Sequence, residues 1–95
     1  MATTNPQRPG VHMTVASGTN KLVNPPAGPQ KVAIQAIGGT VVVEGTMSSQ
    51  AKITGGTAAW ETITLTSNRA FVDNRFTAIR FSVTAANCEV DVLWV

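Results

Sequence analysis

Among 95 residues there is one cysteine, one histidine and no tyrosine, and only 13% of the chain is charged. Each scarcity excludes something. A lone Cys88 has no partner for an internal disulfide, so stability must come from burial, in keeping with synthesis in a reducing cytoplasm. His12 has no Cys, Asp or Glu close to it in sequence, so a zinc site would need ligands gathered from afar; no metal or cofactor is expected. Hydrolytic, phosphoryl-transfer and redox sites need residue types that this chain nearly lacks, and no enzyme is expected. The glycine pairs Gly38-Gly39 and Gly55-Gly56 are followed neither by Lys-Ser/Thr nor by a helical pattern, so they read as turns and not as phosphate cradles. No run approaches the roughly 18 to 20 apolar residues of a membrane span. The start, Met1 to Pro6, has no apolar run behind a cationic segment, so a secretory signal is not expected.

Charge is sparse and unevenly signed. The net charge of +2 is spread singly along the chain, without the basic stripe and interleaved aromatics of a nucleic-acid binder, so no nucleic-acid partner is expected. Residues 1–43 contain no Asp or Glu, which leaves the front purely basic through Arg8, Lys21 and Lys31. Such a front complements an acidic partner surface and acts on association more than on fold.

What is present is alternation. From Ala78 to Trp94, apolar and polar residues alternate around a short polar break, so Ile79, Phe81 and Val83 share one face with Cys88, Val90, Val92 and Trp94. An antiparallel hairpin is expected there, with Val83 facing Cys88, Arg80 set against Asp91 and Ser82 against Glu89. Glu89 and Asp91 then read as a solvated strand face, and Cys88 as a buried free thiol. Residues 31–37 and 40–46 flank Gly38-Gly39, a loop type that accepts positive φ, and a second hairpin is expected with Ile37 opposite Thr40. That register gathers Val32, Ile34, Ala36, Val41 and Val43 on one face and Gln35, Thr40, Val42 and Glu44 on the other. Val11, Met13 and Val15 give a first short strand, Lys21 to Val23 a brief one, and Ile63 and Leu65 mark a strand from Trp60.

All five prolines lie within the first 29 residues. Residues 1–10 carry Pro6, Pro9 and Gly10 without any period and read as an extended arm; residues 11–95 form the body. Asn24 to Pro29 cannot be central sheet, because proline lacks the N–H a ladder needs. No segment sustains a helical stripe, and 46–59 reads as a Gly/Ser/Thr-rich loop. Six to eight short strands imply an all-β protein, a sandwich or a small barrel; the fold expected is a small antiparallel β-sandwich of jelly-roll-like or immunoglobulin-like type. With Phe81 and Trp94 claimed by the core period, Trp60, Phe71 and Phe76 remain as aromatic candidates for contact. Trp60, out of phase with Ile63 and Leu65, suits packing at the sandwich edge or contact with a partner.

The succession Gly39-Thr-Val-Val-Val-Glu-Gly-Thr46, Trp60-Glu-Thr-Ile63, Phe76-Thr-Ala-Ile-Arg-Phe-Ser-Val83 and Val90-Asp-Val92 resembles a pattern of small bacteriophage virion proteins with compact β-sandwiches. The resemblance covers residues 38–95, and β alternation alone generates much of it. It implies a virion structural component assembled in the host cytoplasm: a capsid decoration (cement) protein that binds the outer shell and bridges capsomers. The alternative it leaves is a tail, spike or fibre module that binds a host-surface glycan. Expected partners are the major capsid protein and copies of the chain itself, as a homo-oligomer such as a trimer. Arg8, Pro9 and Val11 of the arm, with Lys21 and Lys31, are the residues expected to make the attachment, and Trp60 a further contact.

Overall fold

The computed structural model describes residues 10–25, 31–73 and 76–94. Among the described residues there are eight strands, β1 (Gly10–Val15), β2 (Asn20–Val23), β3 (Val32–Ile37), β4 (Thr40–Thr46), β5 (Trp60–Ile63), β6 (Arg69–Val72), β7 (Ala78–Ala85) and β8 (Cys88–Trp94), and one short helix, α1 (Gln50–Gly55), between β4 and β5. They make two antiparallel four-stranded sheets, sheet I in the order β1-β8-β3-β6 and sheet II in the order β2-β7-β4-β5. Each consecutive pair, β1/β2, β3/β4, β5/β6 and β7/β8, is split between the two sheets. This eight-stranded order is that of a jelly roll, so of the two sandwich types expected it is the jelly roll that forms.

Both expected hairpins are therefore corrected. β3 pairs with β8 and β6, and β4 with β7 and β5, so Gly38-Gly39 carries the chain from one sheet to the other. Likewise β7 and β8 are not ladder partners: Phe81 lies opposite Val43 and Lys21, while Val90 lies opposite Ala36 and Met13. Arg80 faces Glu44, not Asp91, and Ser82 faces Asn20 and Val42, not Glu89. The facing of the side chains is nevertheless as the alternation requires. Val15, Val32, Ile34, Val43, Ile79, Phe81, Val83, Cys88, Val90, Val92 and Trp94 all join one buried cluster, with Met13, Val41 and Leu65 packed on its margin.

The corners explain how the two sheets are clamped. Gly39 has φ +61°, and a Cβ there would sit 2.5 Å from the Ala85 carbonyl oxygen; a Cβ on Gly38 would sit 2.9 Å from that of Asn87. The β3–β4 and β7–β8 corners thus pack backbone on backbone, a contact only glycine permits. On the other side, the Gly18 N–H donates to the Val83 carbonyl at 2.7 Å, and the Ser17 N–H donates to the Asn87 side-chain oxygen at 3.1 Å. The β1–β2 corner is tied to the same stack. Between β5 and β6, Ser67 and Asn68 both take positive φ while Thr66 and Arg69 exchange backbone hydrogen bonds, the geometry of a two-residue primed turn.

The helix is a departure from the loop expected over 46–59. It lasts six residues because it has caps and no apolar stripe: the Ser49 side chain accepts from the Lys52 N–H, and Gly56 ends it in the left-handed conformation.

Candidate functional site

Alternation that fills a core from two sides leaves two outer faces, and these hold the exposed chemistry. On sheet I, ladder pairing lines up Leu93, Ala33 and Phe71 in one row and His12, Asp91, Gln35 and Arg69 in the next. Phe71 is 84% exposed, and Leu93 and Ile37 are also exposed on this face. A shallow groove of about 250 Å³ runs between the rows, bounded by Ala33, Gln35, Arg69, Phe71, Asp91 and Leu93. His12 Nδ1 and Asp91 Oδ1 lie 2.6 Å apart in open solvent at one end. An aromatic so exposed, on a short strand at the edge of the described sheet, is available to another surface.

On sheet II, Arg80 is held from two sides. Its Nε and Nη2 both donate to Glu44 Oε1, at 3.1 and 2.7 Å, and its guanidinium carbon lies 4.1 Å over the centroid of the Trp60 ring. Ladder pairing puts Glu44 opposite Arg80 and Trp60 opposite Thr46, which is why residues far apart in sequence meet. The segment after β4 folds back over this end: Thr46 Oγ1 donates to the Ala59 carbonyl at 2.6 Å, the Ser48 N–H donates to Thr46 Oγ1, and the Ala59 N–H donates to Ser48 Oγ. Thr46 and Ala78, outward by strand parity, are consequently buried. Between α1 and the start of β5 lies an open cleft of about 500 Å³ lined by Gly45, Met47, Ser48, Ser49, Lys52, Ala59, Trp60 and Glu61.

The aromatic candidates are sorted by these positions. Phe76 is buried against Gly45, where a Cβ would collide with its ring at 2.6 Å. Trp60 is half-buried on Arg80 and borders the cleft, and Phe71 is free. Of the residues expected to make the attachment, Arg8 and Pro9 lie outside the described residues, as does the rest of 1–9. Val11 is on β1 opposite Val92, exposed at the sheet edge. Lys21 is exposed on β2, opposite Phe81, and shares its inward parity with buried Val23; a lysine so placed disfavours pairing of an edge strand with other chains. Lys31 is exposed just before β3. Val11 and Lys21 thus occupy edge strands on the same side of the sandwich, while Lys31 adjoins a strand separated from β1 by β8.

Cys88 is fully buried, and burial pushes its thiol above the ordinary range, with the Ile37 backbone opposing that shift. Among the described residues no three His, Cys, Asp or Glu side chains are grouped as a metal site would require. What sequence reasoning missed is the Glu44–Arg80–Trp60 assembly and the cleft beside it. The caps of α1, Ser49 and Gly56, were the only local signal. Compared with protein-family models, with curated proteins and with solved structures, the chain gives no match.

Proposed function

We propose that this chain is a structural protein of a bacteriophage particle, a decoration protein that attaches to the outer shell through protein–protein contact. The carrying observation is the outer face of sheet I, where an apolar row ending in Phe71 runs beside a row of mixed charge. A face of this kind suits another protein surface: the apolar row supplies the desolvated centre and the row His12, Asp91, Gln35 and Arg69 the polar rim. Its charges are of both signs, which argues against a nucleic-acid partner. The acid-free front of residues 1–43 adds a field that attracts an acidic shell. The bacteriophage assignment rests on the resemblance in residues 38–95, and the jelly roll adds only the fold-level analogy that viral capsid domains use it.

The test is reconstitution. Particles assembled without this chain are incubated with purified protein, and bound chain is counted against the major shell protein by quantitative mass spectrometry. Stoichiometric binding to heads is expected, with Phe71→Ser lowering affinity by at least about tenfold and deletion of residues 1–9 lowering occupancy without unfolding the body. Binding to tails alone would move the protein to the tail, spike or fibre class. Binding to neither would end the reading.

A further inference from the structure

We propose that the cleft between α1 and β5 is a binding site for a neutral saccharide, with Trp60 as its platform. The proposal is independent of shell attachment, since it concerns the opposite sheet. A sugar ring offers an apolar face rimmed by hydroxyls, each both donor and acceptor. Its site needs a flat, fixed aromatic plate beside a few donors and acceptors, in a concavity of a few hundred Å³. The cleft has each part. Its volume of about 500 Å³ accommodates a short oligosaccharide. Arg80, locked by Glu44, fixes the plane of the Trp60 ring from one side, so a ligand meets a plate whose ordering has already been accomplished in the free protein.

The far wall is equally fixed. The Thr46, Ser48 and Ala59 hydrogen bonds hold the segment on which α1 is mounted, and Ser49 caps that helix. Ser48 Oγ and Ser49 Oγ serve there as acceptors from backbone N–H groups, so each hydroxyl retains a proton to donate into the cleft. Lys52 adds a pure donor and Glu61 a pure acceptor, both exposed on the rim, while Met47 adds an exposed apolar side chain to the lining.

Charge selects the sugar class. Among the described residues, Lys52 and Glu61 cancel and Arg80 is already neutralised by Glu44, so these residues give the cleft no surplus cation to favour a sialylated or sulfated glycan or a nucleotide. A neutral saccharide is what remains.

The full chain is mixed with maltotriose, cellotriose or triacetylchitotriose, with sialyllactose and lactose as a charged and neutral pair, and observed by saturation-transfer difference NMR and tryptophan fluorescence. Trp94 is 3% exposed and serves as an internal control, because only Trp60 can respond to a ligand in solvent. Saturation transfer and a fluorescence change are expected with at least one neutral trisaccharide, at a dissociation constant on the order of 1 mM. Trp60→Ala should weaken it by about tenfold or more. Lys52→Ala and Glu61→Ala, both at exposed positions, should each weaken it about two- to fivefold with the thermal midpoint unchanged. The proposal is overturned by no transfer to any of the neutral trisaccharides at about 10 mM, by binding that survives both rim substitutions undiminished, or by tighter binding of sialyllactose than of lactose.

Discussion

Across the outer face of sheet II, Arg80 is held between the Glu44 carboxylate and the Trp60 ring, whereas across sheet I the Phe71 ring stands alone in water. Both faces are made from strands of the same alternating kind, in different sheets, and differ in what surrounds their aromatic residue. Trp60 sits where 47–59 folds back, so its neighbours come from β4, β7 and the helix-bearing segment. Phe71 sits on a four-residue edge strand beyond which no described strand continues the sheet. One face thus presents a fixed plate in a polar cleft, suited to a small ligand, and the other an apolar row beside a shallow groove, suited to a large partner.

Gly39 is where the comparison can be broken altogether, because the corner it forms supports both faces. Gly39→Ala puts a methyl group 2.5 Å from the Ala85 carbonyl and places a non-glycine residue at φ +61°; a loss of about 2 to 4 kcal/mol is expected in denaturant unfolding. Gly18→Ala is the matched control, with positive φ and nothing within 4 Å of the added Cβ, and should cost only about 1 kcal/mol. Equal losses in the two variants would show that the corners do not clamp the sheets.

A smaller effect sharpens the contrast between the faces. Glu44→Ala leaves Arg80 with the Trp60 ring alone, and because the pair is partly solvated the expected loss is about 1 kcal/mol. An unchanged unfolding free energy, together with saccharide affinity equal to that of the parent, would mean that the ion pair orders nothing. The smallest change is expected at Phe71. With its ring 84% exposed, Phe71→Ser should alter stability by no more than about 0.5 kcal/mol while binding to the shell collapses. A large fall in thermal stability would reassign Phe71 to the fold and remove it from the docking face.

The sites were less legible than the fold. Phe71 stood out only as an aromatic unclaimed by the core period, and its exposure follows from β6 being an edge. Trp60 was open to both edge packing and partner contact, and it packs on Arg80 while bordering a cleft. The sequence contains Glu44, Trp60 and Arg80 in three separate segments with no local pattern linking them. Their meeting depends on β4 lying between β5 and β7.

Alternation in the amino-acid sequence determined which side chains enter the core, as at Ile34, Val43, Phe81 and Val90, because a strand repeats its side-chain direction every two residues whatever its neighbour. It also determined an all-β body made of short strands. Only the tertiary structure decided which strands pair. Two strands joined by a short corner show the same alternation whether they lie side by side in one sheet, with inner faces pointing the same way, or in two opposed sheets whose inner faces meet. The jelly roll takes the second arrangement at Gly38-Gly39 and at Ala86-Asn87. That crossing, invisible to any local period, is what brings Arg80 to Glu44 and Trp60 and leaves Phe71 on the last described strand of its sheet.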